Sequence, residues 1–238
     1  MFIFFGVIFL KFKNPFKDLT KFETGLWLCS LLLITLSFLL TKEKDFLSLT
    51  ASLIGATALI FVAKGYVFGQ VLTVIFAVFY AIISYFFQYY GEMMTYMCMS
   101  APIAAFSVIS WLRNPYKGTK EVEVCKQLSS KLKTILWITA PTVTAIFYFI
   151  LKALGNANLF FSTLSVTTSW TASYLALFRS PYYAIAYSLN DIVLIVLWIM
   201  AAIKEPYCAP MILCFVTFLA NDLYGFYNWE RMKKRQRG

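Results

Sequence analysis

Eight apolar runs follow one another along this chain, at roughly 25 to 40, 46 to 63, 66 to 88, 93 to 112, 134 to 154, 158 to 178, 182 to 203 and 207 to 229. An α-helix rises 1.5 Å per residue, so about 20 apolar residues cross a hydrocarbon core of about 30 Å. Backbone inside lipid has to satisfy its own hydrogen bonds, and a single apolar run does so only as a helix. The chain therefore reads as an all-α polytopic membrane protein with eight transmembrane helices. Most breaks are two to six residues long and carry turn chemistry, as in Lys64-Gly65, Gly-Asn-Ala-Asn at 155 to 158, Arg-Ser-Pro at 179 to 181 and Lys-Glu-Pro at 204 to 206. The one long connection, Arg113 to Lys133, is polar and charged and is expected to be a solvent-exposed loop.

Composition closes off other classes. Of 238 residues, 61% are hydrophobic and 13% charged, against about a quarter charged in soluble domains. A soluble enzyme, a disordered tail and a disulfide-stapled module are excluded, and eight spans leave no room for an extramembrane catalytic domain. Histidine is absent, which removes the commonest metal ligand and neutral-pH base. No catalytic residue, metal site or cofactor is assigned. The five cysteines are odd in number and four lie in apolar runs, so they read as reduced packing residues. The opening MFIFFGVIFL has no basic flank and is too short to span, which suggests an interfacial helix or buried prelude rather than a signal peptide.

The net charge of +10 is informative by position. With both termini cytoplasmic, 17 of the 21 Lys and Arg fall on the inner side, as the positive-inside rule requires. The basic excess is a topology signal and a contact for anionic lipid. The bilayer is a partner; nucleic acid is not.

Sliding the chain on itself by about 115 residues aligns the run from Phe46 with that from Phe161, sets Lys64 against Arg179, and, with three residues of drift, sets Trp-Leu-Arg at 111 to 113 against Trp-Glu-Arg at 229 to 231. The division is then an N-terminal segment and extra helix (1 to 45), a three-helix repeat (46 to 112), a loop and linker helix (113 to 157), a second three-helix repeat (158 to 231) and a basic tail (232 to 238). An odd linker helix makes the repeats parallel.

Asp191 and Asp222 are the acidic residues well inside spans, and no Lys or Arg accompanies them. Buried charge in a membrane marks function by default. Each follows an asparagine, Asn190 and Asn221, and Trp170 with its flanking threonines lies at similar depth, where transporter sites sit. The competing readings are hydrogen-bonded helix glue for Asn190, Asn221 and Thr168, and an ion pair of Asp222 with Arg179 or Lys64. Tyr66, Tyr89, Tyr90, Tyr207 and Trp229 read as interfacial belt residues. Gln88 and Glu92 flank the outer turn, lining a mouth or simply solvated. No phosphate-binding loop is present, so this chain hydrolyses no ATP. Without embedded basic residues an anionic substrate is uncompensated; a neutral or cationic small molecule fits.

Tyr-Gly-Glu-Met (90 to 93), Trp-Leu-Arg-Asn (111 to 114), the Arg-Ser-Pro turn before the helix bearing Asp191, and Tyr-Gly-Phe-Tyr-Asn-Trp (224 to 229) before a basic tail resemble, in order and spacing over about residues 25 to 235, the PnuC family of bacterial vitamin transporters. The resemblance implies nicotinamide riboside as substrate, facilitated diffusion by alternating access with trapping by intracellular phosphorylation, a SWEET-like 3+1+3 parallel repeat plus one extra N-terminal helix, a homotrimer, and a place in the bacterial inner membrane. One departure stands out: where many members carry Trp-x-x-Trp before the aspartate, Ala184 and Tyr187 stand here. Thiamine, riboflavin or a deoxynucleoside therefore remain alternative substrates, and a membrane-embedded non-transport protein is the alternative class. For a cationic pyridinium, Trp170, Tyr187 and Asp191 supply cation–π and Coulomb attraction. Asn190, Asn221 and Gln88 would read hydroxyls or the carboxamide, and Tyr224 completes the candidate set.

Overall fold

The computed structural model describes residues 14–41, 46–86, 90–156 and 158–237; the apolar opening segment and Gln88 lie outside them. Among the described residues the long helices are α1 (Lys21–Leu40), α2 (Phe46–Ala63), α3 (Val67–Phe86), α4 (Tyr90–Arg113), α5 (Ser130–Ala153), α6 (Leu159–Leu177), α7 (Tyr183–Lys204) and α8 (Ala209–Arg235). Seven are long and apolar enough to cross a membrane. The other, α6, has Ser or Thr at eight of its 19 positions, which lowers its hydropathy without removing a helix.

Local chemistry sets the boundaries. Thr20 caps α1 reciprocally: its Oγ1 accepts from the Glu23 N–H at 3.2 Å, and the Glu23 carboxylate accepts from the Thr20 N–H at 2.7 Å. Ser129 caps α5 through the Leu132 N–H. A π turn at Tyr96–Ser100 interrupts α4 just before Pro102, which has no N–H to continue the ladder. Between α2 and α3 the chain reverses so tightly that a Cβ on Gly69 would lie 2.4 Å from the Val62 nitrogen, so only glycine fits there.

Six helices close a ring: α2 packs on α3, α3 on α4, α4 on α6, α6 on α7, α7 on α8, and α8 back on α2. Helix α1 lies over α2 and α8, and α5 lies against α6. Tyr80, Phe215 and Phe218 belong to the main apolar core inside the ring. A second core, at the end of the bundle carrying Lys64, Arg113, Arg179 and Arg231, gathers Trp111, Tyr183 and Trp229. We refer to this as the basic end.

The basic end is built from matched parts. After α2, Gly65 N–H donates to Val62 O and Tyr66 N–H to Phe61 O; after α6, Arg179 N–H donates to Ala176 O and Ser180 N–H to Leu175 O. Gly65 (φ +68°) and Arg179 (φ +56°) both occupy the left-handed region these turns need. The indole of Trp111 donates to Ala176 O and that of Trp229 to Val62 O, both at 2.9 Å, so α4 is tied to the end of α6 and α8 to the end of α2.

Three sequence expectations change here. Trp229 is fully buried, and Tyr66 nearly so, rather than forming part of an interfacial belt; the indole N–H is spent on a helix-end carbonyl. The connection from Arg113 to Lys133 is not wholly solvated. Val122 and Val124 alternate with glutamates and turn inward to full burial, while Val122 N–H bonds Gly65 O and Cys125 N–H bonds Arg179 O, each at 2.9 Å. Residues 232 to 235 continue α8 instead of starting a tail, and the Gln236 side chain bonds the backbone of Val122 and Val124. All five cysteines are free thiols.

Candidate functional site

A cavity of about 70 Å³ lies inside the ring. Helix α2 contributes Gly55, Ala58, Leu59 and Val62, which are small or apolar. From α3 come Gln70, Thr73, Phe76 and Ala77; from α4, Tyr96 and Ser100, the two ends of the π turn. Ser169 of α6, Tyr187, Asn190 and Asp191 of α7, and Phe215, Phe218 and Asp222 of α8 complete the wall. Among the described residues no Lys or Arg lines it.

The polar groups are positioned by neighbours. Thr168 Oγ1 donates to Asn190 Oδ1 at 2.8 Å, which leaves the amide N–H₂ of Asn190 for another acceptor. The Tyr187 hydroxyl shares a 3.0 Å hydrogen bond with Ser173 Oγ, and this fixes its ring at the wall. Asp191 and Asp222 are about 96 to 97% buried and line the cavity together from α7 and α8. No donor among the described residues reaches Asp191 Oδ2.

The sequence candidates therefore separate. Tyr187, Asn190 and Asp191 line the cavity. Trp170 faces elsewhere: its indole donates to Thr139 Oγ1 of α5 at 3.1 Å, and it packs beside Met99, Leu151 and Val166. Asn221 turns to α1, donating to Ser30 Oγ at 2.9 Å and to Thr217 O. Tyr224 sits near the basic end, its hydroxyl donating to Glu23 Oε1 at 2.8 Å. Asp222 lines the cavity, and among the described residues Lys64 pairs with Glu23 instead of with it. Gln70, Tyr96, Ser100 and the aromatic pair Phe76 and Phe218 were not singled out from sequence. Gln70 carried the one usable signal, an amide in the first turn of an otherwise apolar run.

Polar contacts also tie helices together at both ends of the bundle. At the basic end, Lys64 Nζ donates to both Glu23 oxygens, at 2.9 and 3.1 Å, and Asp18 accepts from Lys120. Burial and the neighbouring Asp18 carboxylate push the Tyr66 phenol above its usual range. Burial also holds the Arg179 guanidinium below its ordinary value. At the other end, Glu92 is buried and accepts from Ser165 Oγ at 3.1 Å, joining α4 to α6, and Asn156 donates to Ser162 Oγ at 2.8 Å.

A ring of membrane-length helices around a small cavity that is acidic, amide-bearing and aromatic defines a membrane transporter for a small molecule. Comparison with known proteins agrees. The profile of the family described as nicotinamide mononucleotide transporter matches residues 45–231, and the chain belongs to that family. It is 28% identical over 230 residues to the nicotinamide riboside transporter PnuC of Neisseria mucosa, covering 95% of this chain and 87% of that one. With the nicotinamide riboside transporter PnuC of Haemophilus influenzae it shares 23% identity, over 94% of this chain and 97% of the relative. The crystal structure of the vitamin B3 transporter PnuC superposes with a TM-score of 0.80 at 26% identity, over 92% of this chain and 94% of that one.

Proposed function

We propose that this protein carries nicotinamide riboside across the bacterial inner membrane by facilitated diffusion and alternating access, the substrate then being trapped by intracellular phosphorylation. The observation that carries the reading is the lining of the cavity. The riboside presents a cationic pyridinium, a carboxamide and a ribose, and the wall offers a pair of carboxyls, two amides and aromatic faces with no basic side chain. Tyr187, Phe76 and Phe218 would meet the ring, Asp191 and Asp222 its charge, and Asn190 and Gln70 its hydrogen-bonding groups. The mononucleotide named in the family's description adds a phosphate that would face two carboxyls with no cation to neutralise it. Calorimetric titration of the purified protein is expected to show riboside binding at least about a hundredfold tighter than mononucleotide, or roughly 2.7 kcal/mol. Equal affinities would overturn the assignment, and a preference for thiamine, riboflavin or a deoxynucleoside would redirect it.

The same reading includes eight spans, cytoplasmic termini and a 3+1+3 parallel repeat with α1 in front. It is supported by the matched turns, the reciprocal indole bonds and the cavity itself, where residues 114 apart in sequence line one wall each: Thr73 with Tyr187, Phe76 with Asn190, and Ala77 with Asp191. That register is one residue shorter than the sequence alignment chose, and it pairs Gly65 rather than Lys64 with Arg179. Cysteines placed in the Arg113 to Lys133 connection should resist an impermeant maleimide on intact cells and label after permeabilisation. Labelling from outside would reverse the topology. A homotrimer belongs to the proposal as well; Trp137 and Phe149 on the outward face of α5, 80% and 67% exposed, are suited to lipid or to a second copy.

A further inference from the structure

Helix α5 is held to the rest of the molecule mainly along α6, and of its 24 residues Leu151 is the one that is buried. Against α6 it leaves a groove of about 730 Å³ on the outer side of the bundle. This groove and the cavity inside the ring share no described lining residue. The sequence explains the hollow. Ala140, Pro141 and Ala145 are too small to fill it, while Trp137 towards one end and Tyr148 with Phe149 towards the other give it walls. The threonine hydroxyls along it are already engaged. Thr163 and Thr171 donate to the carbonyls of Leu159 and Thr167 at 2.7 and 2.8 Å, and Thr144 and Thr167 bond each other at 2.7 Å. Whichever of that pair donates, the other spends its hydrogen on a helix carbonyl, Ala140 O or Thr163 O. Four threonines thus offer no free donor, and the groove suits an apolar occupant.

Charge enters at one end of this groove. Lys133, Trp137, Pro141, Thr144 and Tyr148 recur at steps of three and four residues, so Lys133 heads the stripe of α5 that lines the groove. Lys131 stands a half turn before it, and both are exposed. Neither α5 nor α6 contains an acidic residue to answer them. From Leu136 to Phe149 the groove runs about 20 Å, at 1.5 Å per residue, against about 15 Å of hydrocarbon in one leaflet. We propose that it holds an acyl chain of an anionic phospholipid from the leaflet at the basic end, with the phosphate seated on Lys131 and Lys133. The lysine pair selects the headgroup, and the satisfied, apolar walls select the chain. A second copy packed by this same face would set lysine against lysine instead. The lipid fills the space that the small side chains of α5 leave open and supplies packing that this helix lacks.

The test uses purified protein in mild detergent, titrated with dioleoylphosphatidylglycerol or with dioleoylphosphatidylcholine, which has the same chains, and counts bound lipid by native mass spectrometry. One phosphatidylglycerol per chain is expected, bound at least about tenfold tighter than phosphatidylcholine. The Lys131→Gln, Lys133→Gln double variant should bring the two lipids to equal affinity, while Lys152→Gln at the opposite end of α5 should change nothing. Ala145→Trp places a large ring in the groove from an exposed position and should lower the affinity for both lipids. Thermal unfolding in lipid-free detergent checks that this variant folds, and the lysine variants decide the matter by themselves if it does not. Equal binding of the two lipids by the wild type overturns the proposal. So does a loss in Lys152→Gln in place of the double variant, or phosphatidylglycerol binding that a folded Ala145→Trp leaves intact. Absence of bound lipid, with an oligomer that Ala145→Trp breaks into single chains, assigns the groove to a second copy and overturns it as well.

Discussion

Lys64→Met is expected to cost about 3 to 5 kcal/mol of stability, because it strands a buried carboxylate. Glu23 is 2% exposed and Lys64 is its cation, with hydrogen bonds at 2.9 and 3.1 Å. Tyr224 and the Thr20 N–H supply two further donors, but neither carries charge. Thermal and denaturant unfolding in detergent should therefore show a large loss for Lys64→Met. A Glu23→Gln, Lys64→Met double variant, which removes the charge along with its partner, should recover at least half of it. A single variant as stable as the wild type would mean that water or lipid headgroups reach Glu23 and that the pair contributes nothing beyond a surface contact.

A comparable effect on binding is expected at Gly55. This residue lines the cavity on α2, where a Cβ would lie 2.5 Å from Phe218 Cζ and 3.0 Å from Phe76 Cδ2. Gly55→Leu has to push both rings into the free space and add its own isobutyl group. Riboside affinity should fall at least about a hundredfold, close to 2.7 kcal/mol, while the protein still folds, with stability lowered by the about 1 to 3 kcal/mol that overpacking a core costs. Calorimetry and thermal unfolding on the same preparation read both quantities. Unchanged affinity would place the substrate elsewhere in the ring.

How far the sequence reached depended on which dimension was asked of it. Position along a helix axis follows from counting, so the runs and their breaks were legible, and Tyr187, Asn190 and Asp191 stood out as polar groups within apolar surroundings. Azimuth was not. One residue turns a helix by about 100°, so Trp170 at a suitable height still points to Thr139 on α5, and Asn221, adjacent to Asp222, points to Ser30 on α1. Helix α1 had been counted as an appendage, and nothing in one sequence announced that Ser30 and Glu23 would take partners on α8 and beside α2. Gly55, Ser100 and Tyr96 were invisible for a different reason. A small residue, a hydroxyl and an aromatic in an apolar run are ordinary, and only the ring closure gives them a common wall. The repeat alignment set Lys64 against Arg179 by charge. The turns match instead by backbone conformation, φ +68° at Gly65 and φ +56° at Arg179.

The two indole bonds of the basic end also bear on kinetics. Trp111 and Trp229 are each buried to within 1%, and each holds a carbonyl belonging to the opposite half of the ring. A path to the cavity at that end, if it opens by parting the halves, must release two N–H donors and two carbonyls at once, at about 1 to 3 kcal/mol for each group left dry. In such an opening the tryptophans would act as a paired latch. They make partial opening the least favourable arrangement, because one broken bond strains the other while admitting too little water to replace it. An all-or-none latch of this kind turns a gradual rocking motion into a switch between two discrete states.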